Sequence, residues 1–187
     1  MTSAHDNVKV RLRYREDEEQ QGPCGETMWA EPVDARDTGG TYRLANNAFF
    51  APLVVGDLVE ARLDATGFLQ VVDVVEPADS ILTLVAFDPS QAGGVCAIAD
   101  GWRQQGAQWS EGSGAFLCTS WPGLSTCDVL TVVTPAVVAG HVELLELLTT
   151  PEREDWAGHV LDLRLDLPTS HRAPRRLRSV REERPRG

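Results

Sequence analysis

The chain has 187 residues, 42% of them hydrophobic, and a formal net charge of −11, which is enough material for one compact domain or two small ones and too apolar for general disorder. The charge is divided: residues 169–187 hold seven Arg and two Glu, while residues 1–168 hold ten Lys+Arg against 26 Asp+Glu. A body this acidic repels phosphate and anionic lipid, so nucleic-acid binding is disfavoured except through the Arg-rich end, and a basic protein is the partner that the charge would suit.

The N-terminal residues MTSAHDNVKV lack the apolar run of a secretory signal, and the most apolar long window, residues 130–148, is interrupted by Thr131, Thr134, Pro135, His141, Glu143 and Glu146. No membrane span is expected, and the cytoplasm is the expected compartment. Cys24, Cys96, Cys118 and Cys127 lie far apart with no CxxC or Cys/His ligand spacing. They read as reduced, mostly core-filling thiols, and neither metal nor cofactor is expected.

The first ordered element is VKVRLRY, where Val8, Val10, Leu12 and Tyr14 alternate with basic residues as in a strand with one buried face. TMWAEPV predicts a second strand, with Pro32 at an edge or strand end, and TYRLA a third. GDLVEARLD and FLQVVDVVE flank the short turn ATG and predict a hairpin. Five short strands without a helix signal predict a small β-barrel-like module over residues 8–78.

The pattern then changes. ILTLVAF (residues 81–87) is a nearly continuous apolar strand, followed by a helix with Asp88 as N-cap, Pro89 at its first position and Val95, Ile98, Ala99 and Trp102 on one face. Gly106 stands where the helix should stop. AQWSE and AFLCTSW predict a second hairpin around GSG. A second helix is expected from Thr134 as N-cap through Leu148, and a last alternating strand over HVLDLRLDL, residues 159–167. In order, these elements spell β-α-β-β-α-β, a ferredoxin-like sandwich over residues 80–168, so the fold class is α+β. Residues 169–187, with Leu177 and Val180 as their large apolar residues, predict a disordered basic tail.

The stretch TYRLANNAFFAPLVVGDLVEARLD is dense in turn and aromatic residues. The order Trp29-Ala30, Tyr42-Arg43-Leu44-x-Asn46, Phe49-Phe50 and Gly56-Asp57-x-Val59 resembles an uncharacterised bacterial family known as domain of unknown function 4265, over about residues 8–80. Members commonly run Tyr-Arg-Leu-Asp-Asn-Ile-Pro-Phe-Phe; here Ala45 stands for Asp, and Asn47-Ala48 stand for Ile-Pro. The resemblance implies no activity, because none is established for the family. Physically, Asn46 and Asn47 suit a strand end, and Gly56-Asp57 suits a turn. Phe49 and Phe50 point opposite ways in extended chain, so one is expected to plug the barrel while the other meets the second module. The alternative is a pocket between the modules, with Asn46 and Asp57 flanking an aromatic floor of Trp29, Phe49 and Phe50. Scaffolding is the favoured reading of the two.

His141 falls on the apolar side of the expected second helix, and His159 shares the register of the core leucines in the expected last strand. Brought together, they would form a buried pair able to act as base or ligand, although a hydrogen-bonded core histidine is the commoner outcome. FDPSQAGGVC offers a helix N-terminus but neither a P-loop Lys nor GxGxxG spacing, and capping explains it. No residue has the context of a catalytic nucleophile. The reading favoured is therefore a non-enzymatic protein-binding module, one version being an immunity or antitoxin-like protein. The alternative is a small-ligand sensor or enzyme using the cleft between the modules.

Overall fold

A computed structural model describes residues 7–13 and 25–161, with the side chains after Trp156 left out of the description. Five strands close into a barrel: β1 (Val8–Arg13), β2 (Gly25–Arg36), β3 (Gly39–Leu44), β4 (Leu58–Leu63) and β5 (Leu69–Glu76). Neighbours pair antiparallel until β1 meets β5 in parallel, through Val10↔Leu69 and Arg11↔Gln70. Closure satisfies the strand edges that an open sheet would leave bare. Alternation decides what lies inside: Val10, Leu12, Met28, Ala30, Tyr42, Leu44, Val59, Ala61 and Val71 form one buried cluster. Pro32 is no strand end. β2 runs past it, beyond the last residue paired with β1 (Ala30, opposite Val8), so Pro32 has an edge position there, and the register on β3 shifts between Pro32 and Asp34.

The second layer is a four-stranded antiparallel sheet built from β6 (Ser80–Ala86), β7 (Trp109–Ser113), β8 (Phe116–Pro122) and β9 (Glu143–Leu148), in the spatial order β7-β8-β6-β9. With α1 (Ala92–Gln104) and α2 (Thr126–Val138) the order is βαββαβ, and the two outer strands flank a split pair as in a ferredoxin-like sandwich. The fold is α+β, as the sequence predicts.

Asp88 accepts from the Ser90 N–H and Pro89 follows it, so the chain enters α1 through a capped 3-10 turn. Val95, Ala99 and Trp102 are buried, and Gly106, at φ 110°, ends the turn beyond the helix. The Trp102 and Trp121 rings lie 5.6 Å apart at 52° in the sandwich core. Trp121 donates its ring N–H to the Thr83 hydroxyl at 2.9 Å, which satisfies the one polar atom that the indole brings inside.

Strand β6 is mostly apolar and buried because it is covered on both faces. Ile81 and Val85 join the helix-side core with Trp121 and Val129. Leu82 and Leu84 turn the other way and meet Val54 and Cys118 at the barrel side of the sheet.

The second half of the sandwich is phased differently from the sequence expectation. The second helix runs from residue 126 to 138, not from 134 to 148. Its start is a reciprocal capping box, in which the Ser125 hydroxyl meets the Asp128 N–H and the Asp128 carboxylate meets the Ser125 N–H. Pro135 therefore lies inside the helix, near its end, where Gly140 at φ 71° stops it. Residues 143–148 are the last strand. The strand expected at 159–167 is absent over 159–161, which belong to a third helix, α3 (Thr150–Leu161); residues 162–167 lie outside the described residues, as does the expected disordered tail at 169–187. Strand β9 had already completed the sheet, so α3 turns back and packs Trp156 against the barrel core.

Candidate functional site

The residues singled out between Thr41 and Asp64 converge on the seam between barrel and sandwich. Leu44 ends β3, and the loop that follows bonds to both modules. Asn46 accepts from the Trp29 N–H through Oδ1 (2.7 Å), and its Nδ2 donates to the Asn47 carbonyl (2.9 Å) and to Glu111 Oε2 on β7 (3.0 Å). Asn47 Oδ1 accepts from the Val55 N–H at 3.0 Å. One asparagine thus ties the loop to the neighbouring strands, and the other folds the loop on itself.

Phe49 and Phe50 present their N–H groups to the two Glu26 oxygens at 2.6 and 3.2 Å. Phe49 is half-buried and packs on the Leu82–Cys118 cluster, so it meets the second sheet as expected. Neither phenylalanine plugs the barrel. Ala48, Ala51 and Leu53 fill that place, and Phe50 is 58% exposed.

Asp57 is fully buried, and both of its carboxylate oxygens are engaged. Its Oδ2 accepts from the Val54 N–H and its Oδ1 from the Ala78 N–H, both at 2.7 Å, and both oxygens accept from Arg153 Nη1, at 3.0 and 3.3 Å. Arg153 comes from α3, and its guanidinium also donates to the carbonyls of Ser80, Pro52 and Ala78. Burial pushes the Asp57 carboxyl above its ordinary range, while the Arg153 charge and the two backbone N–H groups pull against that rise. The pair locks the 52–57 loop, the connector between the modules and α3 together.

Cys118 completes the seam. Its thiol donates to the Ala48 carbonyl at 3.3 Å. Burial first, then the charges of Glu26, Glu111 and Glu146, push it up to about 12, against a lowering by the Asn47 side chain. A thiol held so far from ionisation is packing material rather than a nucleophile.

Of the five proposed lining residues, Asn46, Phe49 and Asp57 belong to this seam. Trp29 faces outward on β2, 48% exposed, with the Lys9 ammonium 4.9 Å from its ring centre. The histidine pair is corrected. His141 stands exposed in the turn after α2, because the helix ends at Val138 instead of carrying residue 141 inward. His159 lies on α3 rather than in a strand, with its side chain among those not described. Among the described residues no group of three or more His, Cys, Asp and Glu is placed to hold a metal ion, and no helix is long and apolar enough to cross a membrane.

A groove of about 300 Å³ lies elsewhere, between the β2–β3 hairpin and β4. Gly39 and Gly40 form part of its lining, and a Cβ at either would run into the facing backbone carbonyl of Ala61 or Asp34. Its charged rim is internally matched, with Arg36 on Asp34 at 3.0 Å and Arg62 on Glu60 at 2.8 Å.

The seam residues missed from sequence are Glu26, Glu111, Cys118 and Arg153. Arg153 is the lone cation in the acidic run Glu152–Asp155, a weak signal that points to no partner.

No family model matches the chain, and no curated protein matches it. A crystal structure described as that of a hypothetical protein from Neisseria gonorrhoeae is similar in fold, with a TM-score of 0.55 at 13% identity, over 77% of this chain and 96% of that one.

Proposed function

We propose that the chain is a non-enzymatic protein-binding module whose acidic sandwich docks a basic protein partner, an immunity or antitoxin-like role being one form of it. The observation that carries this reading is the charge of the segment that runs from the connector through the sandwich to α3. Residues 77–161 hold ten acidic residues and two basic ones, and both cations, Arg103 and Arg153, are engaged with carboxylates of the chain itself, Asp100 and Asp57. What remains is a strongly negative surface around a sheet covered on both faces, which suits steering and orienting a cationic protein. The hydrogen-bonding groups of Asn46 and Asp57 are turned to internal partners, which supports scaffolding over the cleft enzyme or sensor. Membership of the unknown-function family 4265 forms part of the proposal, carried by Trp29-Ala30, Tyr42-Arg43-Leu44, Phe49-Phe50 and Gly56-Asp57.

The test is affinity capture from the source lysate with the full chain and with a chain ending at Pro168, followed by association kinetics of the retained protein across salt. A stoichiometric complex with one basic protein, held by both baits and slowed by salt, is the expected result. Weak, salt-independent contact with every basic protein tried would sink the proposal.

A further inference from the structure

The Arg153 side chain is only 2% exposed, yet the first turns of the helix that carries it are mostly exposed. Pro151, Glu152, Glu154 and Asp155 around it are exposed, and Trp156 is the next residue of α3 to touch the barrel core. A helix of twelve residues is marginal by itself. Over residues 151–156 of α3, Arg153 is the buried side chain, and its guanidinium, with the Thr150 hydroxyl that meets Ser80 and Asp79, holds the start of the helix to the connector.

Every group that the guanidinium meets lies outside α3. Nε donates to the Ser80 carbonyl at 3.1 Å, Nη1 to the Pro52 carbonyl at 3.1 Å and to both Asp57 oxygens, and Nη2 to the Ala78 carbonyl. Asp57 is held in place by the Val54 and Ala78 N–H groups, which also lie outside α3. We propose that the 52–57 loop and the 78–80 connector form a guanidinium-binding socket, which α3 fills as a tethered ligand.

The chemistry selects the ligand class. One carboxylate and three carbonyls surround a flat, forked donor, and a guanidinium offers its N–H groups in that plane while carrying the charge that Asp57 needs. An ammonium is a compact, strongly hydrated point charge and cannot span the same acceptors. A neutral side chain leaves the Asp57 charge buried without a counter-ion. The socket thus takes an arginine side chain, or a free guanidinium ion where the arginine is removed.

The experiment is thermal unfolding of full-length Arg153→Ala, titrated with guanidinium chloride at low millimolar concentration, far below denaturing levels. The expected result is a lowered Tm that guanidinium raises saturably, as binding to the native state requires. Sodium chloride and urea at the same concentrations should have no such effect, nor should guanidinium on the wild type, whose socket is filled, or on Arg153→Ala combined with Asp57→Asn. A folded Arg153→Ala protein with no saturable rise overturns the proposal, as does an equal rise in the wild type. Where Arg153→Ala does not fold, Arg153→Lys decides. A Tm several degrees below wild type agrees with a site that reads the guanidinium fork, and an unchanged Tm shows that any cation suffices and overturns it.

Discussion

The sandwich core and the seam beneath it are closed to water alike, but opposite means hold them. Behind β6, Trp102, Trp121, Val129 and Val133 pack as an apolar cluster into which Trp121 and Thr83 bring a polar contact. In front of β6, Val54, Leu82 and Cys118 supply a small apolar patch, and around it stand Asn46, Asn47, Asp57 and Arg153, bonded to backbone and to one another. An apolar core tolerates repacking because its attraction has no direction. A buried polar network fixes relative position, because each donor must find its acceptor or be left at a cost. The helices thus hold the sandwich together, and the seam sets where the barrel stands against it.

The largest effect should come from the seam. Asp57→Ala leaves the Arg153 charge buried with only carbonyls to meet it, and should destabilise by about 3–5 kcal/mol in denaturant unfolding. Replacing both partners with apolar residues of similar volume should recover part of that loss. If the double variant is no better than Asp57→Ala, the backbone contacts of the pair dominate and the contrast between seam and core needs another basis.

A smaller effect is expected from the polar contact inside the apolar core. Thr83→Val keeps shape but removes the acceptor of the Trp121 N–H, and should cost about 1–3 kcal/mol. Equality with Asp57→Ala would mean that core and seam depend on polar contacts to the same degree.

The smallest expected change lies at the surface. Ser125→Ala removes the α2 cap and should cost about 1 kcal/mol by the same measurement. It should also alter the acid limb of the stability curve. The Ser125 hydroxyl and N–H hold the Asp128 carboxyl below its ordinary 3.8. A carboxyl depressed on folding contributes stability that is fully present above 3.8 and is lost as pH falls through the lower, folded value. The variant should lose stability less steeply over that interval than the wild type, and an unchanged acid limb would remove the capping box as its cause.

The sequence by itself determined the elements whose pattern is local. Alternation in residues 8–12 and 58–63 marks strands because side chains on a strand point to opposite faces, and Asp88-Pro89 marks the entry to α1 because capping is settled within one turn. The βαββαβ order is legible in the sequence, but with its last helix and last strand misplaced, at 134–148 and 159–167 instead of 126–138 and 143–148. Residues 126–148 were ambiguous, since a long apolar run offers both helix and strand an apolar face and Thr134-Pro135 imitates a helix start. Ser125 and Asp128, with Gly140 as the stop, were the signals that place α2, and Glu143–Leu148 is a strand because β6 has an edge open for it. The seam was decided by tertiary structure alone. Asn46 finds Glu111 and Asp57 finds Arg153 across separations of 65 and 96 residues, and pairings that distant arise only when the barrel, sandwich and α3 meet. Composition limits which charges are available; three-dimensional proximity chooses which two share a buried site.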